Sequence, residues 1–372
     1  MFFINGTIIN ADFKLETLDM EIDKGKIIRV QKSIDYKEDD MVIDCEGYYI
    51  SPGFVDIHTH GAAGFDCSDG YREAVEGVAE FLITKGVTSF CPTTMTMDKV
   101  DIIQAVRVIK GCMDKPCKGA RVLGINMEGP FISPEKSGAQ AKESITEPDY
   151  DYFREVYEAS GKNIKIVDIA PEINGGSLIR KFKRDCVVSM AHTTVDYAGA
   201  LEAMDKGASH ITHLFNAMSG LSHREPGLVG AALDDSRVTC ELICDGYHIH
   251  PAVLRTAFAM LKDRAVIISD SMRGSGMPDG EKYELGGQTV NVSKGKATLA
   301  DGTIAGSVTN IHQEIKNLVS YGIPLEQAVK SATIIPAKVV GMEKEIGSIE
   351  VGKCADLVML DKDLEIVGVY HS

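Results

Sequence analysis

The chain has 372 residues, 44% of them hydrophobic and 25% charged, a balance typical of one large globular domain or of a large domain with a small one. Its formal net charge of −15 argues against nucleic acid or an anionic membrane as a partner, because both would repel it. The first residues lack the basic start and apolar core of a secretory signal, and no apolar run nears the roughly 20 residues of a membrane span. We therefore expect a soluble cytoplasmic protein, in which an anionic ligand needs its own local cations.

The nine cysteines form no recognisable metal or redox motif. Nine is an odd number, and neither Cys112 with Cys117 nor Cys240 with Cys244 has the C-x-x-C spacing. We interpret them as buried thiols.

Both ends of the chain consist of short β-type runs broken by glycines. The runs FFINGTIIN, KGKIIRV and MVIDCEGYYI near the start and IGSIEVGKCADLVMLDKDLEIVGVY at the end share this texture and show no helical pattern. They predict that residues 1–50 and 336–372 meet in one small β-sandwich domain. Residues 51–335 then form a separate catalytic domain inserted between them.

Eight apolar runs recur through the middle of the chain, and each ends in residues capable of chemistry: FVDIHTH, VTSFCPTT, VLGINMEGP, IKIVDIAPE, VVSMAH, HITHLFN, TCELICDGYH and AVIISD. Helical patterns follow most of them, as in YREAVEGVAEFLITKG, where apolar residues from Ala74 to Leu82 share one face before Gly86. Strand alternating with helix eight times predicts an α/β fold, a (β/α)₈ TIM barrel, with its chemistry at the C-terminal strand ends. Residues 272–306, rich in glycine and polar side chains, are expected to form a long loop after the eighth strand.

His58-Thr59-His60 stands at the end of the first run. Because side chains alternate along a strand, His58 and His60 point the same way and can bind one ion. Asp56 would lie on the same face, either supporting a ligand or facing solvent. The alternative for the two histidines is an ordinary pair at the surface.

Three further residues that can bind a metal stand at the ends of separate predicted strands. Glu128 ends the third strand, His192 the fifth and His213 the sixth. Three protein ligands with room for water are typical of a catalytic metal site. The alternative for Glu128 is to cap a helix or pair with a lysine. Three other histidines are left outside the site: His210, at the start of its strand, His312 and His371.

Asp270 ends the eighth run. A carboxylate there can accept a proton from an attacking water and return it to a leaving group, so we predict that Asp270 is the general base and acid. Its alternative is a helix N-cap.

SPGFVDIHTHG and IGSIEVGKCADLVMLD resemble the two ends of amidohydrolase-superfamily chains. NMEGPF, AHT, HLFNAM, REPG, DGYH, SD and AGS follow in the order and spacing of the N-acetylglucosamine-6-phosphate deacetylase family, and this resemblance covers nearly the whole chain. It implies metal-dependent hydrolysis of N-acetylglucosamine 6-phosphate to glucosamine 6-phosphate and acetate, by a homodimer. The alternatives are the galacto epimer as substrate or another amidohydrolase reaction.

The resemblance also implies roles for single residues. Glu128, His192 and His213 would bind the catalytic metal, and Asp270 would be the base and acid. Some members lack His58 and His60, so this pair is expected to form a second metal site that shares Glu128. The expected substrate contacts are Ala139, Gln140, Asn216, Ala217, Arg224, His248, Ile304, Ala305 and Gly306.

Arg224 and His248 resemble the family's phosphate-binding pair, with Arg224 reaching the neighbouring subunit's site. A guanidinium can bind phosphate through two hydrogen bonds. These are the local cations that an acidic protein needs for an anionic substrate. The ligand types suit one or two ions of Zn, Fe, Mn or Ni without distinguishing among them.

Gln140 departs from the family, which usually has histidine there to help polarise the amide carbonyl. The departure implies a larger role for the metal, a lower rate or a different acyl sugar as substrate. It also suggests an alternative function, that of a protein that binds a sugar phosphate without turning it over. A second alternative, a hydrolase of cyclic amides, bridges two metals with a modified lysine at the end of strand four. No lysine stands at residues 168–172 here.

Overall fold

The computed structural model describes residues 1–372. A barrel of parallel strands lies at its centre. Each barrel strand is parallel to the next along the chain. The first and eighth meet where the Asp270 N–H donates to the His58 carbonyl at 2.9 Å. The TIM-barrel prediction is thus confirmed. In chain order the eight strands are Phe54–Thr59, Val87–Thr94, Ile125–Met127, Ile164–Ile169, Val187–Met190, His210–Ile211, Thr239–Leu242 and Ala265–Ile267, and a short strand, Arg121–Val122, also pairs with the second.

Helices surround the barrel. The first buries its apolar face as predicted and ends before Gly86, which has a left-handed φ of 74°. No helix combines the length and the apolar character that crossing a membrane requires. The helices are Arg72–Thr84, Lys99–Asp114, Tyr150–Ala159, Ile179–Phe182, Tyr197–Lys206, Gly227–Asp234, Pro251–Leu261, Ile311–Ser320, Leu325–Ser331 and Ile334–Val339, with 3-10 turns at Pro134–Lys136, Lys142–Ser144, Gly175–Ser177 and Lys262–Arg264.

The apolar core has an outer and an inner layer. The outer layer, which includes Leu82 and Phe90, packs strands against helices. The inner layer fills the barrel with residues such as Ile166 and Ile243, and Ile335 from helix Ile334–Val339 packs against it. The end of the barrel that this helix covers is filled with apolar side chains. Polar side chains that could carry out chemistry are therefore confined to the opposite mouth.

The two chain ends lie together in one seven-stranded sheet. The C-terminal strand Leu357–Leu360 pairs antiparallel with Tyr49–Pro52, which joins the two ends. The domain bounds 1–50, 51–335 and 336–372 stay a prediction. The strands of this sheet are Phe2–Ile9, Leu15–Asp23, Lys26–Gln31, Val42–Asp44, Tyr49–Pro52, Leu357–Leu360 and Ile366–Tyr370.

The expectation of an irregular loop over residues 272–306 is wrong. Lys282–Leu285, Gln288–Ser293 and Lys296–Thr298 form a three-stranded antiparallel sheet. Its short strands alternate buried and exposed positions, and the turn at residues 286–287 is two glycines with positive φ. The glycine and polar content that suggested a loop belongs to these turns and solvent-facing positions. Two further short strands, Gly61–Ala62 and Phe65–Asp66, pair near the barrel mouth.

Candidate active site

Five ligand-type side chains converge at the barrel mouth, and each is at least 95% buried: His58, His60, Glu128, His192 and His213. They belong to the first, third, fifth and sixth strands or to the residues that directly follow them. The C-terminal ends of parallel barrel strands meet at one mouth, so positions far apart in the chain become neighbours.

The backbone turns sharply where three of the polar residues leave their strands. His192, His213 and Asp270 have φ values of 44°, 31° and 45°, in the left-handed region that residues other than glycine rarely occupy. Such conformations cost about 1–3 kcal/mol each and persist only where surrounding structure stabilises them. Their concentration at one mouth is typical of a functional site.

Glu128, His192 and His213 form the first group of converging donors. Glu128 Oε1 lies 3.1 Å from His192 Nε2 and 3.0 Å from His213 Nε2. The two ring nitrogens are themselves 3.1 Å apart. The three residues predicted as ligands of the catalytic metal therefore lie together.

His58, His60 and Glu128 form a second group on the other side of the same carboxylate. Glu128 Oε2 lies 3.1 Å from His60 Nε2, and the Nε2 atoms of the two histidines are 3.4 Å apart. His58 Nε2 also lies 3.6 Å from Glu128 Oε1. Glu128 is thus common to both groups.

Both groups fit a divalent cation. Four imidazole Nε2 atoms face one carboxylate inside a buried space, and imidazole with carboxylate is a donor set that first-row divalent metals accept. The electrostatics of the site also favour a bound cation. Burial alone lowers the pKa of His60, but Asp270 and Glu128 raise it to about 10. The buried carboxylates of Asp270 and Glu128 therefore stabilise positive charge beside them, and a divalent cation would supply that charge.

Asp270 reaches the same cluster. Its Oδ1 lies 3.3 Å from His60 Nε2 and 3.5 Å from His58 Nε2. Burial raises the pKa of Asp270, but the nearby His58 and His60 bring it below its usual value. These contacts favour the ionised form of Asp270, which is the form that can accept a proton.

The cluster opens into a cavity of about 380 Å³ that contains most of the predicted substrate residues. His58 and Ala305 are buried and do not line it, and Arg224 is exposed outside it. The predicted residues that line the cavity are His60, Glu128, Ala139, Gln140, His192, His213, Asn216, Ala217, His248, Asp270, Ile304 and Gly306. Six further residues line it without having been predicted: Met95, Glu135, Lys136, Gly138, Leu285 and Thr303.

Gln140 is held by two hydrogen bonds. Its Oε1 accepts from the Thr96 N–H at 2.7 Å, and its Nε2 donates to Glu128 Oε2 at 2.5 Å. Because the acceptor side is engaged by Thr96, the amide group must present its N–H groups toward Glu128 and the cavity. Gln140 therefore supplies donors, although no charge, where the family usually has histidine.

Asp56 is fully buried, so the alternative in which it faces solvent is wrong. Between Asp56 and Thr59 the first strand carries one residue more than the second strand opposite it. Such a β-bulge breaks the alternation of side chains. The carboxylate of Asp56, fully buried, accepts from Ser269 Oγ at 2.6 Å and from the His58 backbone N–H at 3.2 Å. It therefore links the first and eighth strands.

Glu241, in the seventh strand, is a buried charged residue beside the site that was not predicted from the sequence. Burial raises the pKa of Glu241, but the neighbouring His58 and His210 lower it to about 2. The signal available was an acidic residue inside the apolar run TCELIC, which needs a buried partner. His312 and His371, left outside the site, bind Leu364 and Asp356 instead.

Comparison with known proteins agrees with this geometry. A model of the amidohydrolase family matches residues 49–371. The chain belongs to the amidohydrolase family. This amidohydrolase is 37% identical to the N-acetylglucosamine-6-phosphate deacetylase of Bacillus subtilis strain 168, over 98% of this chain and 90% of that protein. It is 34% identical to the N-acetylgalactosamine-6-phosphate deacetylase of Escherichia coli O157:H7, over 88% of both chains.

Solved structures give the same relationship. The N-acetylglucosamine-6-phosphate deacetylase of Pasteurella multocida matches the amidohydrolase with a TM-score of 0.94 and 30% identity, over 100% of this chain and 97% of that one. A mutant of the Mycobacterium smegmatis enzyme in complex with N-acetyl-D-glucosamine-6-phosphate matches with a TM-score of 0.93 and 30% identity, over 100% and 97%. These findings confirm the resemblance drawn from the sequence motifs and identify the chain as a hydrolase acting on amides.

Proposed function

We propose that this amidohydrolase removes the acetyl group of N-acetylglucosamine 6-phosphate in the cytoplasm, releasing acetate and glucosamine 6-phosphate. The observation that carries the proposal is one cavity lined by members of both donor groups, namely His60, Glu128, His192 and His213, together with Asp270 and His248. The relatives named for this reaction support the choice of substrate.

The chain's own residues account for the proton movements. Asp270 accepts the proton of the attacking water and returns it to the amide nitrogen, because an amine leaves readily only when protonated. A divalent cation held by Glu128 and the histidines would supply Lewis acidity toward the water and the amide carbonyl. Gln140 offers an N–H at the same wall of the cavity, where negative charge on the carbonyl oxygen would develop.

The sugar phosphate would contact the remaining walls of the cavity. Asn216 and Ala217 would hold the sugar, with Ala139 and the segment Ile304–Gly306 beside them. His248 is held through Nδ1 by Asp245 at 2.8 Å, which leaves its Nε2 for a phosphate oxygen. A doubly protonated imidazole held in this way would donate its Nε2 hydrogen to an anionic ligand.

Two ions per chain are proposed because the two donor groups share only Glu128. Each group supplies two imidazoles of its own, so neither has to give up a ligand to the other. The donor set suits Zn, Fe, Mn or Ni.

We further propose a homodimer in which Arg224 completes the phosphate site of the neighbouring subunit. Arg224 is exposed and absent from the cavity of its own chain, although it belongs to the motif shared with the deacetylase family. The cavity of one chain therefore lacks the guanidinium that the motif leads us to expect at the phosphate.

Acetate release by the purified, metal-counted protein tests the function. We expect turnover with N-acetylglucosamine 6-phosphate and a lower kcat/KM with its galacto epimer. Greater turnover of the galacto epimer would reassign the substrate, and no acetate from either, with metal present, would favour a binder. Turnover of a cyclic amide alone would favour the other hydrolase class, although no lysine stands at the end of strand four.

A further inference from the structure

Glu241 is a fully buried carboxylate in the middle of the seventh strand. It accepts three hydrogen bonds, from His58 Nδ1 at 3.0 Å, from His210 Nε2 at 3.0 Å and from the His213 backbone N–H at 3.2 Å. A buried charge is costly unless it is satisfied in this way, so these three donors account for its place in an apolar strand.

The contact with His58 decides how that ring is oriented. A carboxylate accepts hydrogen bonds, so Nδ1 of His58 must carry the hydrogen that it donates to Glu241. Its Nε2 is then directed at the cluster, 3.4 Å from His60 Nε2 and 3.6 Å from Glu128 Oε1. Ring orientation and tautomer are thus both set by Glu241.

His210 secures the other side of Glu241. Its Nε2 donates to Glu241 Oε1, while its Nδ1 lies 2.6 Å from Thr239 Oγ1. Thr239, His210, Glu241 and His58 therefore form a continuous chain of contacts from the start of the seventh strand to the cluster. His210 contributes to the site through Glu241, without facing the cavity itself.

The other three imidazoles of the cluster lack such a support. His192 Nδ1 bonds the backbone carbonyl of Lys136 at 2.7 Å, and Nδ1 of His60 and of His213 has no protein partner. Only His58 has a carboxylate behind its ring.

We propose that Glu241 is a positioning residue that makes the His58, His60 and Glu128 group a strong cation site, separable from the Glu128, His192 and His213 group. This inference rests on the proposed metal centre. A carboxylate behind a ligating histidine fixes the ring and strengthens it as a donor, and loss of such support typically lowers metal affinity about 10- to 100-fold.

The test is a titration of metal-free wild type, Glu241→Gln and His58→Ala with Zn²⁺ by calorimetry, together with ions counted per chain after dialysis. The binding event lost in His58→Ala identifies the site in question. Glu241→Gln loses the negative charge behind His58 and keeps one acceptor oxygen for two imidazoles, so we expect that event to weaken about 10- to 100-fold and the other to stay within threefold.

Asp168→Asn is the matched control, because Asp168 is also buried inside the barrel but bonds Thr212 at 2.9 Å rather than a ligand ring. We expect both of its binding events to match wild type. Equal weakening of both events in Glu241→Gln, or no change in either, would overturn the proposal. A single ion per wild-type chain, unaffected by His58→Ala, would overturn it as well, while acetate release would still decide the proposed function.

Discussion

Gln140 donates to Oε2 of Glu128 at 2.5 Å, and this contact joins the wall of the cavity to the carboxylate shared by both cation groups. Because Thr96 holds the amide oxygen, Gln140 cannot rotate without losing a second hydrogen bond. The glutamine is therefore a fixed donor, and its replacement has measurable consequences.

We expect Gln140→Ala to lower kcat about 10- to 100-fold, since a hydrogen bond to a charged group contributes about 1.5–3 kcal/mol. Steady-state acetate release measures the effect. Gln288→Ala is the matched control, because Gln288 bonds the Ala139 carbonyl at 2.7 Å without touching Glu128. Equal losses in both variants would mean that Gln140 only holds its loop.

Asp270→Asn should retain metal and substrate binding while losing deacetylation, because asparagine cannot accept the proton. A decrease in kcat of about 100- to 10,000-fold is expected for a lost general base. Acetate release and calorimetric substrate binding, both on metal-loaded protein, separate the two effects. Near-normal turnover would rule out this role, and Asp263→Asn, at an exposed residue paired with Lys330, should behave as wild type.

Removal of metal should abolish activity and destabilise the protein. A ligand at 100 times its Kd stabilises the folded state by about 2.7 kcal/mol, so for a chain of this length we expect a chelator to lower Tm by about 3 °C for each ion removed. Differential scanning calorimetry with and without chelator measures this. Glu128→Ala, which lacks the carboxylate common to both groups, should lose the chelator-dependent shift; an unchanged shift there would place the metal elsewhere.

Subunit complementation tests whether Arg224 acts across a dimer. Arg224→Ala should raise KM for the phosphorylated sugar about 10-fold or more, since a charge-assisted contact is lost. Heterodimers of Arg224→Ala with Asp270→Asn, co-expressed with different tags, contain one site with intact Arg224 and Asp270 only if the arginine acts across the interface. Activity at low substrate should then recover; its absence in purified heterodimers would assign Arg224 to its own subunit.

Gly138→Ala should weaken metal binding by the group of Glu128, His192 and His213. Gly138 has a φ of 57°, and a Cβ there would lie 3.3 Å from Cε1 of His192. We expect a loss of about 1 kcal/mol of stability with weaker Zn²⁺ binding, measured by thermal denaturation and titration. Gly111→Ala is the control, because nothing lies within 4 Å of its Cβ and its position is helical; it should be neutral or slightly stabilising.

The sequence by itself determined the architecture and the position of the cation groups. Eight apolar runs of strand length, alternating with helical patterns, predict a parallel barrel. That fold places the C-terminal end of every strand, and the polar residue that follows it, at one mouth. His58, Glu128, His192, His213 and Asp270 stand at such ends, so their convergence follows from the pattern. Their individual roles stay predictions.

The tertiary structure alone decided what supports these residues. Glu241 and His58 are 183 positions apart and meet only when the seventh strand and the first take their places in the barrel. The bulge after Asp56 and the contact of Asp56 with Ser269 depend on how strands pair, which alternation within one strand does not report. Local pattern sets which side chains reach the mouth, whereas barrel closure sets which of them touch, and hence which histidine has a carboxylate behind it.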